Sequence, residues 1–302
     1  MKNLKSLKGI LFAIISSGTF GLIPLFSIPL IGGGMNEASV LFFRFLFSSL
    51  MMAVICLVRK ENLRISLKQL SSISILGVLY AATALFLIYS YHYMPSGIAT
   101  TIHFMYPIAV SFIMVVFFKE KRSASLFLAA ILSVIGVVFM CWTDSGEIQF
   151  MGLVAASITV VTYSSYIVGV NQSKVGRLSA EVLTFYVVLA GAVIFFIFAL
   201  LTGDLKPIPD FKSFERLLLL AFLCTVVSDF TLVIAIKLVG STTSSILGSM
   251  EPVVAVFVGI IYFSEGFSIF SLVGLVLIIA SVIMVVMTSA KKDEIKDSSK
   301  YL

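Results

Sequence analysis

Apolar residues fill ten long stretches of this chain, and short polar or charged segments separate one stretch from the next. A helix needs about 20 apolar residues to cross the hydrocarbon core of a bilayer. Each stretch has about that length, so the pattern predicts ten transmembrane helices. Their predicted ranges are Gly9–Leu30, Glu37–Val58, Leu70–Tyr91, Ser96–Phe118, Ser123–Trp142, Phe150–Val170, Ala180–Leu201, Leu217–Ile236, Ser241–Phe263 and Phe267–Thr288.

The composition also indicates an all-helical integral membrane protein. Of the 302 residues, 60% are hydrophobic and 12% are charged, whereas about 25% of the residues in a soluble globular protein are charged. The three cysteines, Cys56, Cys141 and Cys224, lie in apolar stretches without metal-ligand spacing, so we expect neither a disulfide framework nor a bound metal. No phosphate-binding loop, zinc motif or nucleophilic-serine motif is visible, so the sequence predicts neither an enzyme nor a cofactor.

Basic residues are distributed unevenly between the two sides of the predicted bundle. Ten helices place both termini on one side, where 17 of the 21 Lys and Arg residues fall, against three on the other side and Arg44 within a helix. Because cytoplasmic loops are enriched in Lys and Arg, both termini are predicted to be cytoplasmic, in a multi-pass protein of the cell (inner) membrane. The same rule accounts for the net charge of +6 without a nucleic-acid partner.

The second half of the chain repeats the first. Pro107 and Pro252 are 145 residues apart, and so are Glu120 and Glu265. We therefore predict five helices in residues 1–145, a second set of five in 146–290, and a charged cytoplasmic tail at 291–302. Because five is odd, the second set enters the membrane from the opposite face, which gives the inverted-topology repeat found in many secondary transporters.

These features resemble the EamA-type transporters of the drug/metabolite transporter superfamily. The resemblance is carried by the five-plus-five repeat, by Pro107 and Pro252 in the fourth helix of each half, and by Glu120 and Glu265 at the ends of those helices. It covers about Leu7 to Thr288. It implies a bundle around a central cavity, lined mainly by helices 1, 3, 4, 6, 8 and 9 of the ten. It also implies transport of small organic solutes, such as amino acids or related metabolites, with export as the favoured direction.

Four ionisable residues lie inside the predicted spans: Arg44, His103, Asp229 and Glu251. Such residues usually face the interior of a bundle or a water-filled cavity. Two acids and one permanent base leave at least one carboxylate without an obvious partner, so Glu251 and Asp229 are candidates for binding a proton or the amine of a substrate. Each residue also has a structural alternative: Glu251 can bond backbone exposed by Pro252, and Arg44 can pair with a neighbouring helix instead of a substrate carboxylate. His103 can titrate or simply pack.

Pro107 and Pro252 are predicted to kink their helices and to act as hinges. A proline lacks the N–H that would bond the carbonyl four residues earlier, so the carbonyls of His103 and Gly248 are expected to be freed. Open carbonyls near the membrane midplane can bind a substrate, or nearby hydroxyl groups can satisfy them. The hydroxyl residues within reach are Thr100, Ser245 and Ser249.

Four tyrosines also lie deep in the predicted spans: Tyr80, Tyr106, Tyr163 and Tyr166. A tyrosine combines an apolar ring with a polar end, which suits the wall of a cavity for amphipathic metabolites. The alternative for each tyrosine is ordinary core packing with its hydroxyl group bonded to a neighbour.

Together these patterns favour a secondary transporter that works by alternating access, with the proton as the candidate coupling ion. The expected partners are a small-molecule substrate and the lipid bilayer, and the protein is expected to be a monomer or a homodimer. A facilitative channel or uniporter, and a membrane protein that transports nothing, remain the alternatives.

Overall fold

The structure is a computed structural model that describes residues 2–90, 92–93, 99, 102–120, 123–140, 149–262 and 268–298. Three residues named individually above, Thr100, Cys141 and Glu265, lie outside the described residues. Within those ranges all regular secondary structure is helical. The helices are α1 (Lys2–Phe20), α2 (Ile23–Gly32), α3 (Glu37–Val58), α4 (Leu67–Ser90), α5 (Tyr106–Phe118), α6 (Ala124–Met140), α7 (Phe150–Gln172), α8 (Ala180–Thr202), α9 (Phe211–Ala221), α10 (Ser228–Val239), α11 (Ser241–Leu247), α12 (Met250–Tyr262) and α13 (Ile269–Ser298). A 3₁₀ turn, Lys174–Arg177, follows α7, and a π-helical turn, Phe222–Val227, joins α9 to α10.

The prediction of an all-helical, multi-pass membrane protein is confirmed. Among the described residues, six helical segments are long and apolar enough to cross a membrane: Lys5–Gly32, Glu37–Val58, Leu67–Ser90, Phe150–Gln172, Ala180–Thr202 and Phe211–Val239. Three shorter apolar helices span Tyr106–Phe118, Ala124–Phe139 and Leu272–Val285. Helix is present in every predicted apolar stretch, but the number of ten membrane crossings stays a prediction.

The helices pack in pairs that are distant in the sequence. The most extensive contacts join α6 to α13, α3 to α8, α1 to α10, and α4 to α7, while α5 packs on α11. The largest buried side chains of the main core include Phe45, Tyr80, Tyr106, Tyr166 and Phe195. Many large apolar side chains are exposed on the surface of the bundle, as is expected where helices face lipid.

Breaks occur in the first, fourth and ninth predicted helices. The first predicted span, Gly9–Leu30, lies within one apolar helical segment, Lys5–Gly32, but that segment is interrupted, because α1 ends at Phe20 and α2 starts at Ile23. Pro24 lies in the first turn of α2, and it lacks the N–H that would bond the Phe20 carbonyl. The other two breaks lie just before the predicted kink prolines, at residues 104–105 ahead of Pro107 and at residues 248–249 ahead of Pro252.

The eighth predicted helix contains the π-helical turn, and α3 satisfies carbonyl groups there. The Ser48 hydroxyl donates to the Ala221 carbonyl at 3.1 Å, and an Arg44 guanidinium N–H donates to the Cys224 carbonyl at 3.2 Å. A π-helical turn inserts one residue into the helical register and often marks a functional site. The residues that follow this turn, beginning with Ser228 and Asp229, are therefore rotated relative to a regular helix.

Loops that are predicted to share a side of the membrane contact one another. On the predicted cytoplasmic side, Arg59 forms an ion pair with Glu181. On the opposite side, the Asn36 side-chain amide donates to the Asp204 carbonyl at 2.6 Å, and the Lys206 N–H donates to the Ser39 hydroxyl at 2.8 Å.

Candidate functional site

The three helix breaks converge in the middle of the bundle. A Cβ atom added at Gly21 would lie 2.5 Å from the Glu251 carbonyl oxygen, so the break in the first predicted helix touches the backbone of α12. A Cβ atom added at Gly248 would collide with the hydroxyl group of Tyr106, so the break in the ninth predicted helix touches the start of α5. Glycine permits both contacts, because a Cβ atom would press on the Glu251 backbone at Gly21 and on the Tyr106 side chain at Gly248.

A small, narrow cavity lies where these breaks meet. Its empty volume is about 280 Å³, which includes space open to solvent, and the part that is wide enough for a water holds about one. A wider groove on the surface, beside Lys68 and Lys174, contains none of the buried ionisable residues. The polar and aromatic residues in the cavity wall are Ser16, Ser17, Phe20, Tyr106, Tyr163, Ser244 and Glu251.

Asp229 is buried beside this cavity, with a side chain only 2% exposed. The Tyr80 hydroxyl donates a hydrogen bond to Asp229 Oδ1 at 2.8 Å. The second carboxylate oxygen, Oδ2, is buried and has no hydrogen-bond partner among the described residues. Asp229 can therefore accept one further bond from a proton or a ligand donor.

Four buried tyrosine rings connect Asp229 with the cavity. The ring centroids of Tyr80 and Tyr166 are 5.0 Å apart, those of Tyr166 and Tyr163 are 6.2 Å apart, and those of Tyr163 and Tyr106 are 4.8 Å apart. The first tyrosine bonds Asp229, and the last two line the cavity with Glu251. The structure therefore brings all four predicted tyrosines and both predicted carboxylates into one region.

His103 lies against this row of rings but outside the cavity wall. Its Nδ1 atom is 2.9 Å from the Thr159 hydroxyl, and its ring lies 5.3 Å from that of Tyr106 and 5.2 Å from that of Tyr163. The other ring nitrogen, Nε2, is buried without a hydrogen-bond partner in the part of the chain that is described. One ring nitrogen of His103 is therefore bonded within the bundle, and the other is available to a further hydrogen-bond partner.

Arg44 is also outside the cavity wall, and its donors are used within the bundle. Its Nε atom donates to the Thr225 hydroxyl at 2.7 Å, and one terminal nitrogen donates to the Cys224 carbonyl. The guanidinium carbon lies 5.8 Å from the ring centroids of both Phe20 and Phe45. Arg44 forms no ion pair within 4.0 Å with a carboxylate of the described residues, so its observed partners are those of a structural residue.

The predicted hydroxyl groups near Pro252 bond to their own helix. Ser245 donates to the Thr242 carbonyl at 2.9 Å, and Ser249 donates to the Ile246 carbonyl at 2.7 Å. The expectation of a free Gly248 carbonyl was wrong, because the Glu251 N–H bonds it at 2.9 Å across the break. The tighter turn at the break thus gives the Gly248 carbonyl a hydrogen bond in place of the one that Pro252, which has no N–H, cannot donate.

Sequence reasoning missed several polar residues at the site, above all Ser244. Its hydroxyl lies in the cavity wall and is buried without a partner in the described structure. Ser16 and Ser17 also line the cavity. The signal that could have found them is the presence of adjacent hydroxyl residues within apolar stretches, as in Ser16-Ser17 and Ser244-Ser245.

Comparisons with known proteins agree with this architecture. The family model of the EamA-like transporter family matches the chain in two copies, over residues 7–142 and 150–287. Protein PecM of Dickeya dadantii (strain 3937) is 24% identical over 205 residues, which are 66% of this chain and 67% of that protein. A solved crystal structure superposes with a TM-score of 0.81 over 94% of this chain and 98% of the other, at 15% identity, which shows a shared fold.

Proposed function

The chain belongs to the EamA-like transporter family, and from that premise we propose that it is a secondary active transporter. At the level of the family, the function is transport of small solutes across a membrane. The proposed transporter moves small organic solutes, amino acids or related metabolites, out of the cell by alternating access. The observation that carries the proposal is the narrow cavity at the junction of three broken helices, with Glu251 in its wall.

The positions of the breaks support the mechanism. A broken helix can bend at a few backbone bonds without loss of its remaining hydrogen bonds, and such helices form the substrate sites of many transporters. Movement at the breaks ahead of Pro107 and Pro252 would open the cavity to one face at a time. In this proposal the two prolines mark hinges.

The helix pairs support an inverted repeat. An exchange of the two halves maps the α3–α8 and α6–α13 pairs onto themselves, and it maps the α1–α10 pair onto α7–α4. This is the pattern expected if a two-fold axis relates residues 1–145 to residues 146–290. Two equivalent halves can exchange conformations, which makes the inward-open and outward-open states related by symmetry.

Two buried carboxylates support proton coupling. Among the described residues, one oxygen of Asp229 has no partner, and Glu251 lines the cavity. Intramembrane carboxylates are common proton carriers in transporters. Glu251 is the first candidate for the coupling proton because it lines the cavity, and Asp229 and His103, which are buried outside the cavity wall, are the other candidates.

The proposal is tested in two steps. A thermal-shift screen of the purified protein against amino acids, nucleosides and amphipathic amines identifies a solute, because a specific ligand stabilises the folded protein. Proteoliposomes then measure flux of that solute. We expect saturable, proton-gradient-driven flux with counter-transport, and we expect Glu251→Gln to abolish the gradient-driven part.

The matched control is Glu215→Gln, which removes an exposed carboxylate from the first turns of α9. It should transport like the unaltered protein. Flux that never saturates and shows no counter-transport would instead indicate a channel, and gradient-driven flux that survives Glu251→Gln would remove Glu251 from the coupling mechanism.

A further inference from the structure

We propose that the cavity selects solutes that carry a protonated amine without a carboxylate. The inference rests on the proposed transport function and narrows its substrate class at the same site, from amino acids and related metabolites to amines that lack the carboxylate of an amino acid. Its central observation is the charge in the cavity wall. The described wall residues include one carboxylate, Glu251, and none of them is Lys, Arg or His.

The neighbouring cation does not supply a partner for a substrate carboxylate. Arg44 bonds the Thr225 hydroxyl and the Cys224 carbonyl, and it packs against the ring of Phe20, which itself lines the cavity. Phe20 thus contacts the guanidinium group and also lines the cavity, whereas Arg44 is not part of the described wall. A solute carboxylate in the cavity would meet Glu251 without a compensating charge, and burial of an unpaired charge is costly.

The uncharged polar groups of the wall are suited to accept hydrogen bonds. An ammonium group has three donors and no acceptor. Ser17 already uses its proton on the Ala13 carbonyl, at 2.9 Å, which leaves its oxygen lone pairs available. Ser244 is 1% exposed, and its hydroxyl group has no hydrogen-bond partner in the described structure. Glu251, Ser17 and Ser244 therefore match the donors of one ammonium group.

Aromatic rings complete the wall and favour a cation with an apolar body. Tyr106, Tyr163 and Phe20 all line the cavity. A cation over an aromatic face is attracted by the ring quadrupole, more strongly where water is excluded. The apolar part of the solute would pack against Ile167 and Leu232. The narrow cavity holds only about one water. A solute can therefore enter only after the broken helices separate.

Three compounds with the same phenyl ring test the charge preference: phenethylamine, phenylalanine and phenylacetate. Each is titrated into the purified full-length protein, and binding is measured by thermal shift and by competition for flux in proteoliposomes. We expect phenethylamine to half-saturate the protein at a concentration at least about tenfold lower than either carboxylate compound, a difference of about 1.4 kcal/mol.

Two variants locate the binding site. Glu251→Gln is expected to weaken phenethylamine binding at least about tenfold. Should Glu251→Gln fail to fold, Ser244→Ala removes one acceptor and is expected to weaken binding about threefold to tenfold. The matched control is Ser133→Ala, which removes a buried hydroxyl bonded to its own helix at Ala130, away from the cavity, and it should bind phenethylamine normally.

Each outcome decides the inference. Binding of phenylalanine or phenylacetate that equals or exceeds that of phenethylamine overturns it, and so does the absence of phenethylamine binding. Normal phenethylamine binding by both Glu251→Gln and Ser244→Ala also overturns it. Tight phenethylamine binding without saturable flux would contradict the transport function and leave the amine site standing, so the two failures are distinguishable.

Discussion

Tyr80 and Tyr166 are neighbouring buried tyrosines that differ in one hydrogen bond. The Tyr80 hydroxyl donates to Asp229, whereas the Tyr166 hydroxyl has no partner in the described structure. Tyr80→Phe leaves both Asp229 oxygens without a protein donor, and an unsatisfied buried polar group costs about 1–3 kcal/mol. We therefore expect Tyr80→Phe to lower the free energy of unfolding by about that amount, measured by chemical denaturation in detergent.

Tyr166→Phe is the matched control for this prediction. It removes a hydroxyl of the same kind from a ring 5.0 Å away, but it breaks no observed hydrogen bond. The free energy of unfolding should stay the same or rise. An equal loss of stability in the two variants would contradict the role of the Tyr80–Asp229 bond.

Gly248 is a second residue at which a small change should have a large effect. A Cβ atom there would collide with the Tyr106 hydroxyl and lie 2.9 Å from the Ser245 carbonyl oxygen. Insertion of a methyl group into packed structure costs about 1–3 kcal/mol. Gly248→Ala should lower the thermal unfolding temperature and reduce flux, because the break in the ninth predicted helix can no longer close on α5.

Two further variants decide whether that collision is the cause. Gly18→Ala also adds a methyl group to a glycine beside the site, but its nearest new neighbour would be a Val254 methyl at an ordinary 3.9 Å, so stability should be retained. In the double variant Gly248→Ala/Tyr106→Phe, the second change removes the colliding hydroxyl. It should restore at least about 0.5 kcal/mol of the stability that Gly248→Ala loses. Strictly additive losses would show that the two residues do not interact.

At the scale of the element, the π-helical turn of Phe222–Val227 depends on α3. Arg44 donates to Thr225 and Cys224 through two nitrogens of one planar group. Lysine cannot reproduce this pair of donors. We expect Arg44→Lys to destabilise the protein by about 1–3 kcal/mol and to lower maximal flux, while the solute concentration at half-maximal flux stays unchanged.

The solute concentration at half-maximal flux separates a structural role of Arg44 from a role in substrate binding. If Arg44 bonded a solute carboxylate, Arg44→Lys would raise the half-saturating concentration with little loss of folded protein. The control is Arg59→Lys, because the Arg59 side chain is 59% exposed in its pair with Glu181 and exposed ion pairs contribute about 0–1 kcal/mol.

The sequence predicts helices and helix breaks well where residues within the same turn or stretch cause them. Apolar stretches placed the helices, and Pro107 and Pro252 correctly indicated breaks, because a missing N–H acts within one turn. The π-helical turn could not be predicted in this way, since Phe222–Val227 contains neither proline nor glycine. Its carbonyl groups are bonded by side chains about 170–180 residues earlier in the chain.

At the candidate site, too, residues with a local signal were predicted from the sequence, and contacts that depend on helix packing were not. Asp229 and Glu251 were found because a carboxylate inside an apolar stretch is unusual in any membrane protein. Their partners depend on helix packing, so the Tyr80–Asp229 bond, which spans 149 residues, was not predictable from spacing. Ser244 and Ser245 are alike in sequence. Only the rotation of α11 within the bundle decides which hydroxyl lines the cavity and which bonds its own helix.

At the scale of the whole molecule, the orientation in the membrane remains a prediction from the charge distribution. Residues 59–66, between α3 and α4, are predicted to be cytoplasmic, and residues 203–210, between α8 and α9, are predicted to lie outside. Each loop contacts other segments assigned to its own side, as in the Arg59–Glu181 ion pair and the Asn36–Asp204 hydrogen bond. An error in orientation would therefore reverse both loops together.

Single cysteines in these two loops test the orientation directly. In a variant with Cys56, Cys141 and Cys224 replaced by alanine, a membrane-impermeant maleimide should label Asp204→Cys on intact cells. It should label Asn62→Cys only after the membrane is permeabilised. Both positions are exposed, so permeabilised cells provide the control for reactivity. Labelling of Asn62→Cys alone on intact cells would place both termini outside. Labelling of both variants on intact cells would rule out the alternating topology, because five predicted helices separate the two loops, and an odd number must place them on opposite sides.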